Sequence, residues 1–85
     1  MPLNRHETVY DLGMGAANPQ TRLNVNINVR TKAALECYAV DNGISVTEAV
    51  RRLVGMGAFI AGALADGKSV ELKRGRDRET VTFAF

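Results

Sequence analysis

The stretch of sequence that decides the fold reads Arg22-Leu23-Asn24-Val25-Asn26-Ile27-Asn28-Val29-Arg30. Polar and apolar side chains alternate in it without a break, and this period of two is typical of a β-strand with one buried face. The other face carries only arginine and asparagine. A lone strand is not stable in water, and the chain contains this sequence once. We therefore expect the pairing strand to come from a second chain.

The polar face of this strand is unusual because asparagine is depleted in strands. In the DNA major groove, which admits a two-stranded ribbon, asparagine can pair bidentately with adenine and arginine with guanine. Arg22, Asn24 and Asn26 are accordingly predicted to read bases in double-stranded DNA. Asn28 is left out of this set, because it directly precedes a predicted helix and is a preferred N-cap residue. The alternative interpretation is a solvated polar face of an edge strand.

Two helices are predicted after the strand. The first runs from Arg30 to Asn42, and Gly43 is placed to end it in the left-handed conformation. Its apolar face carries Ala34, Leu35, Tyr38 and Ala39. The second helix begins with a capping box, in which the Ser45 hydroxyl and the Glu48 carboxylate would each accept from a backbone amide of the other residue.

This order of strand, helix, glycine turn and capped helix resembles the ribbon-helix-helix family of DNA-binding proteins, of the Arc, MetJ and CopG type. The resemblance covers Arg22 to about Ala65, roughly half of the chain. It is carried by Arg22-Leu23-Asn24-Val25-Asn26-Ile27, by Leu35-x-x-Tyr38-Ala39 and by Asn42-Gly43-Ile44-Ser45-Val46-Thr47-Glu48-Ala49-Val50-Arg51. It implies an α+β fold, namely a ribbon-helix-helix intertwined homodimer, here with a C-terminal β-hairpin extension that the smallest members of the family lack.

The resemblance also implies which residues contact DNA. Alternate residues of the strand read bases, and the positions of this chain that match are Arg22, Asn24 and Asn26. The family holds the DNA backbone at the start of the second helix. That position corresponds here to Ser45, Val46 and Thr47.

Independent physical arguments favour phosphate binding at both helix starts. The amides of Val46, Thr47 and Glu48 would point out of the positive end of the second helix. The alternative for Ser45 is a role as helix cap alone, and the two roles are compatible. Arg30 and Lys32 would lie where the dipole of the first helix disfavours cations, which suggests a nearby anion such as a phosphate. Simple solvation of these two long side chains is the alternative. Arg51 and Arg52 are expected to be solvated or to form ion pairs with Glu48.

Composition describes one small domain that would gain stability by forming oligomers. The chain has 85 residues, 46% of them hydrophobic, with a net charge of +2 and a pI near 9.0 that permits nucleic-acid binding without requiring it. Its single cysteine, Cys37, excludes an internal disulfide and is expected to be a buried thiol in a reducing compartment. Because the start of the chain lacks the features of a secretory signal, we expect a cytoplasmic protein.

We divide the chain into a flexible N-terminal arm (residues 1–20), a ribbon-helix-helix DNA-binding domain (residues 21–66) and a C-terminal β-hairpin (residues 67–85). The arm has no sustained period. It can be a mobile tail, dock through its apolar residues, or add basic contacts through Arg5 and His6.

The second helix contains 13 consecutive uncharged residues, from Leu53 to Ala65. This run is too short for a membrane span, which needs about 20 apolar residues. We therefore expect no membrane association. Its predicted apolar stripe carries Val46, Val50, Leu53, Gly57, Ile60 and Leu64. Glycines lower helix propensity, so their presence predicts a close helix crossing in a dimer.

The C-terminal segment changes to a period of two and predicts a hairpin that turns at Arg74-Gly75-Arg76-Asp77. Phe83 and Phe85 are expected to cover the body of the dimer. Alternatively, they bind another protein or a second dimer on adjacent DNA. The tip could also touch DNA through its arginines Arg74, Arg76 and Arg78, although neighbouring acids dilute their field.

The function predicted from the sequence is sequence-specific DNA binding by a transcriptional regulator, most simply a repressor. We expect neither a cofactor nor a metal, and we expect no enzyme, because paired carboxylates and a glycine-rich phosphate loop are missing. Two alternatives remain. The chain can be the antitoxin of a toxin–antitoxin pair, or a dimeric protein-interaction module that has lost DNA binding.

Overall fold

The computed structural model describes residues 8–11 and 20–85 of the chain. Its regular elements are, in chain order, α1 (Val29–Asn42), α2 (Val46–Ala65), β1 (Val70–Arg74) and β2 (Asp77–Val81). The α+β class expected from the sequence is confirmed, with two helices and a two-stranded antiparallel hairpin in the described part. Most of the predicted N-terminal arm lies outside the described residues.

Residues 21–28, which hold most of the predicted strand, have no regular secondary structure. The prediction of a strand as far as Arg30 is wrong at its end, because Val29 and Arg30 form the first turn of α1. Within residues 8–11 and 20–85 the only sheet is the one formed by β1 and β2. A segment without a neighbouring strand has no ladder for its backbone hydrogen bonds. Strand pairing at residues 22–28 therefore stays a prediction about two chains.

The limits of α1 follow from its caps. Asn28 is extended (φ −80°, ψ 169°), and its side-chain oxygen accepts a hydrogen bond of 2.8 Å from the Thr31 amide. At the other end Gly43 is left-handed (φ 63°), a conformation that glycine adopts without steric cost. The Ile44 amide donates to the Ala39 carbonyl over 3.0 Å. Both predicted caps are confirmed.

The limits of α2 are set in the same way. Its start is capped by Ser45, whose Oγ accepts from the Glu48 amide over 3.0 Å. Its end is followed by Gly67 (φ 83°), and the Lys68 amide donates to the Ala63 carbonyl over 3.0 Å. This agrees with the predicted cap at Asp66-Gly67. No helix in the described ranges combines the length and hydropathy needed to cross a bilayer.

The hairpin turns through a two-residue loop, Gly75-Arg76, as the sequence predicted. Gly75 has φ 58°, and no described non-glycine residue has a positive φ. This combination fits a type II′ turn, which needs glycine at its first central position and matches the strand twist. The cross-strand pairs are Val70 with Val81, Glu71 with Thr80, Leu72 with Glu79, Lys73 with Arg78 and Arg74 with Asp77.

The chain divides into two compact units, residues 1–52 and 53–85. In the described part of the first unit only Ala39 (4% exposed) and Ala49 (0%) are buried, while Leu35 and Tyr38 are half-buried. The predicted burial of Cys37 is wrong, because it lies two positions from Leu35 and therefore on another side of α1. Ala34, predicted on the apolar face, is likewise exposed, because residues 29–33, which form the part of α1 before it, are all exposed and give it no buried surface to pack on.

The second unit contains a groove of about 570 Å³ between the end of α2 and the segment that follows β2. Its apolar lining includes Ile60, Leu64, Val81, Phe83 and Phe85. In the predicted stripe of α2, Leu53 and Ile60 are half-buried, whereas Gly57 has open space where a Cβ would lie. The close helix approach expected at the glycines is therefore not made within one chain at Gly57.

Asn28→Ala should destabilise the fold, because it removes the oxygen that caps α1. We expect a loss of about 1 kcal/mol in the free energy of unfolding, measured by urea denaturation followed by circular dichroism. The matched control is Asn26→Ala, which removes an exposed amide with no capping role and should change stability by less than about 0.5 kcal/mol. Equal losses in the two variants would contradict the capping role.

Candidate nucleic-acid interface

The candidate interface begins with residues 22–28, whose side chains are all exposed. The exposed fractions of Leu23, Val25 and Ile27 are 79%, 65% and 46%. Three aliphatic side chains at alternate positions are thus left in water by their own chain. Burying a side chain of this size stabilises a protein by about 1.5–3 kcal/mol, so this surface favours association with another apolar surface.

The predicted base-reading residues Arg22, Asn24 and Asn26 are exposed at the intervening positions. The structure records no hydrogen bond or ion pair between their side chains and another described residue. Their donors and acceptors are therefore available to a ligand. The neighbouring amide differs, because the Asn28 oxygen is already engaged by Thr31. Its exclusion from the reading set is supported by this bond.

Two cations lie at the start of α1. Arg30 and Lys32 are exposed, and the first turn of α1 contains no acidic residue. The partial positive charge of the helix start is therefore reinforced rather than compensated. An anion at this point would interact favourably with both cations and with the helix dipole.

The start of α2 has a more complex hydrogen-bonding pattern than predicted. The Glu48 amide is occupied by Ser45 Oγ, so it is not available to a ligand. The amides of Val46 and Thr47 make no recorded hydrogen bond to a described residue. Ser45 also keeps its hydroxyl proton, because its oxygen acts as the acceptor in the cap. Two amides and one hydroxyl can therefore still donate to a phosphate oxygen.

The Glu48 carboxylate does not complete the predicted capping box. Its Oε1 accepts from Arg51 over 2.7 Å and its Oε2 accepts from Arg52 over 3.2 Å. The predicted ion pairs are confirmed, whereas the reciprocal bond to the Ser45 amide is not formed, because two charged donors engage both carboxylate oxygens. Two guanidinium groups around one carboxylate leave a positive balance near the start of α2.

These hydrogen bonds also shift the ionisation of the side chains involved. The bond from Arg51, followed by the bond from Arg52, lowers the pKa of the Glu48 carboxyl below its ordinary value of 4.5. The bond with Glu48, followed by one with Tyr38, raises the pKa of the Arg52 guanidinium. The cluster therefore stays fully ionised at neutral pH.

All eight predicted DNA-contact residues are exposed and lie in the first unit, residues 1–52. They are Arg22, Asn24, Asn26, Arg30, Lys32, Ser45, Val46 and Thr47. Sequence reasoning missed one cation in the second unit. It grouped Arg74, Arg76 and Arg78 at the hairpin tip, but the register places Lys73 opposite Arg78. The two-residue loop and the strand period together would have given this register.

Within residues 8–11 and 20–85 there is no group of three metal-ligating side chains. A scan against protein-family models, a search of curated proteins and a search of solved structures each returned no match.

Replacing both arginines in the variant Arg51→Gln/Arg52→Gln should raise the pKa of Glu48 back towards 4.5. The carboxyl carbon of Glu48 can be titrated by NMR to measure this. Since the folded pKa is lowered, the ion pairs contribute stability above the unfolded pKa, and this contribution is lost as pH falls through the folded pKa. Glu48→Gln should therefore flatten the decline of stability in acid. The control Glu36→Gln should retain that decline, and an unchanged Glu48 titration in the double variant would contradict the assignment.

Proposed function

We propose that the chain is a sequence-specific DNA-binding regulator of transcription that acts as a homodimer and represses by occupying a promoter. The observation that carries this proposal is the exposed segment at residues 22–28. It alternates uncovered aliphatic side chains with polar side chains, of which those of Arg22, Asn24 and Asn26 have no partner in the described chain. Pairing of two such segments would cover the aliphatic side chains and leave the polar side chains exposed to a ligand.

In the proposed dimer, the two segments form an antiparallel ribbon about a two-fold axis. A register that keeps the aliphatic side chains on one face places Val25 opposite its own copy and Leu23 opposite Ile27 of the partner. A slip by one residue would expose them again, so burial of this face limits the registers to those that pair odd-numbered positions with each other. Exposed apolar residues on α2, including Val50 and Val54, supply further surface for the dimer to cover.

The opposite face of the ribbon is proposed to enter the major groove. Two-fold symmetry gives each dimer two copies of Arg22, Asn24 and Asn26, which suits an operator with the same symmetry. Each good bidentate contact discriminates against a wrong base by about 1–3 kcal/mol. The free amides of Val46 and Thr47 and the cations at the start of α1 are proposed to hold the DNA backbone, which fixes register without reading sequence.

A second candidate is supported by the groove in the second unit. Phe83 and Phe85 line it beside Ile60 and Leu64, which gives an apolar surface able to receive another protein. The chain would then be an antitoxin that also binds DNA, or an interaction module that does not. Copurification of a second small protein would favour the antitoxin, whereas loss of all DNA binding would favour the module.

Unfolding of the protein should depend on its concentration, because a single chain buries only two alanines in its described part. For a dimer that is the folded species, the melting temperature rises with chain concentration by mass action. We expect this rise over a hundredfold concentration range in thermal scans, and a dimer mass in sedimentation equilibrium. Val25→Lys, at the proposed centre of the ribbon, should shift the mass towards monomer. A melting temperature independent of concentration would contradict the dimer.

Asn24→Ala/Asn26→Ala should abolish sequence preference while leaving the dimer folded. DNA fragments retained by the wild-type protein from genomic DNA serve as specific targets, and scrambled fragments of the same composition serve as competitors. We expect the wild-type preference to fall at least tenfold, because the variant removes two bidentate contacts per subunit, each worth about 1–3 kcal/mol.

The control for this experiment is Thr80→Ala, which removes an exposed polar group from β2, outside the proposed base-reading segment. It should keep the wild-type preference. If the double variant discriminates between fragments as well as the wild type, Asn24 and Asn26 are not the base readers.

A further inference from the structure

The hairpin contains a cross-strand pair of like charges. Lys73 of β1 lies directly opposite Arg78 of β2, and both side chains are exposed. The closing pair of a two-residue loop, here Arg74 and Asp77, is hydrogen-bonded, so the next pair is of the non-hydrogen-bonded type. Side chains approach more closely in such pairs. The register therefore places the two cationic residues directly opposite each other in the folded state.

Like charges directly opposite each other destabilise a strand pair, yet no acid of the hairpin compensates this one. Asp77 and Glu79 lie on the other face of the hairpin, with Asp77 opposite Arg74. Glu71 shares the face and is a diagonal neighbour of Arg78. The structure records no ion pair between Glu71 and either cation, and no other described side chain binds them.

A shallow recess of about 490 Å³ borders this pair. Its lining consists of Leu72, Lys73, Arg74, Asp77, Arg78 and Glu79. The lining includes the acids Asp77 and Glu79, but Asp77 lies opposite Arg74, and three cations against two acids leave the recess with a net positive charge. A phosphate group that accepts from both Lys73 and Arg78 would be complementary to this charge. The strand register fixes where the two side chains leave the backbone, whereas isolated surface lysines and arginines have no fixed neighbour.

We propose that Lys73 and Arg78 form a second phosphate-binding site, which holds the sugar–phosphate backbone of bound DNA. This inference rests on the proposed function and deepens it, because it adds a contact from the second unit that reads no bases. The repulsion between the two cations in the free protein is relieved when a phosphate lies between them. The two opposed cations thus lower the stability of the free hairpin and raise its affinity for phosphate.

The test is the salt dependence of binding to the DNA fragments that the wild-type protein retains. The logarithm of affinity falls linearly with the logarithm of salt concentration, with a slope of about 0.9 per neutralised phosphate. Lys73→Gln/Arg78→Gln should reduce this slope by about 1 to 4 per dimer and leave sequence preference unchanged. The control Lys68→Gln/Arg76→Gln removes the same charge from the same unit, outside the lining of the recess, and should reduce the slope less.

A second variant separates the site from general charge effects. Lys73→Glu places opposite charges across the strands, so it should raise the melting temperature while it reduces the salt slope at least as much as Lys73→Gln/Arg78→Gln. If Lys73→Glu lowers both the melting temperature and the affinity for DNA, the proposed link between hairpin stability and phosphate binding is overturned.

The inference is overturned if the Lys73→Gln/Arg78→Gln slope is unchanged, if the control lowers it equally, or if the variant loses an acidic protein partner instead of DNA. Absence of DNA binding by the wild type would overturn both the site and the proposed function. Retained sequence preference with an unchanged slope would overturn the site alone. A lowered slope in a protein without sequence preference would support the site and overturn the proposed function.

Discussion

Apolar surface that one chain leaves uncovered is the constraint on which the other features depend. The described part buries only Ala39 and Ala49, while the aliphatic side chains of residues 23–27 and several along α2 remain in water. A core of two alanines contributes little against the conformational entropy that folding opposes. We propose that association supplies the missing burial through the alternating segment at residues 22–28. The proposed dimerisation and the proposed DNA binding thus both rest on one amphipathic pattern.

Local hydrogen bonds fix where the helices begin and end, which this small core does not do. Asn28 and Ser45 each satisfy a backbone amide at a helix start, and glycines end both helices in left-handed conformations. Such caps fix the limits of an element independently of tertiary burial. They place Asn28 at the start of α1, where its side chain caps the helix. Asn24 and Asn26 have the same side chain but make no such bond to a described residue.

Charge is arranged differently in the two units. Around the start of α2, Glu48 is held between Arg51 and Arg52, so the repulsion between the arginines is compensated within the chain. In the hairpin, Lys73 and Arg78 face each other without such a carboxylate. The first arrangement stabilises the free protein, whereas the second raises its energy. Uncompensated charge of this kind is expected where binding of an anion supplies the compensation.

The sequence by itself determined the features that depend on residues one to four positions apart. These are the α+β class, the caps at Asn28, Gly43 and Ser45, and the turn at Gly75, because backbone sterics and short-range hydrogen bonds select them. Where several donors compete for one acceptor, only the structure decided which hydrogen bond or ion pair forms. It gave the Glu48 carboxylate to two arginines instead of to the Ser45 amide, and it placed Cys37 on an exposed side of α1. It also set Lys73 against Arg78, because cross-strand neighbours depend on register between segments, which no single local pattern contains.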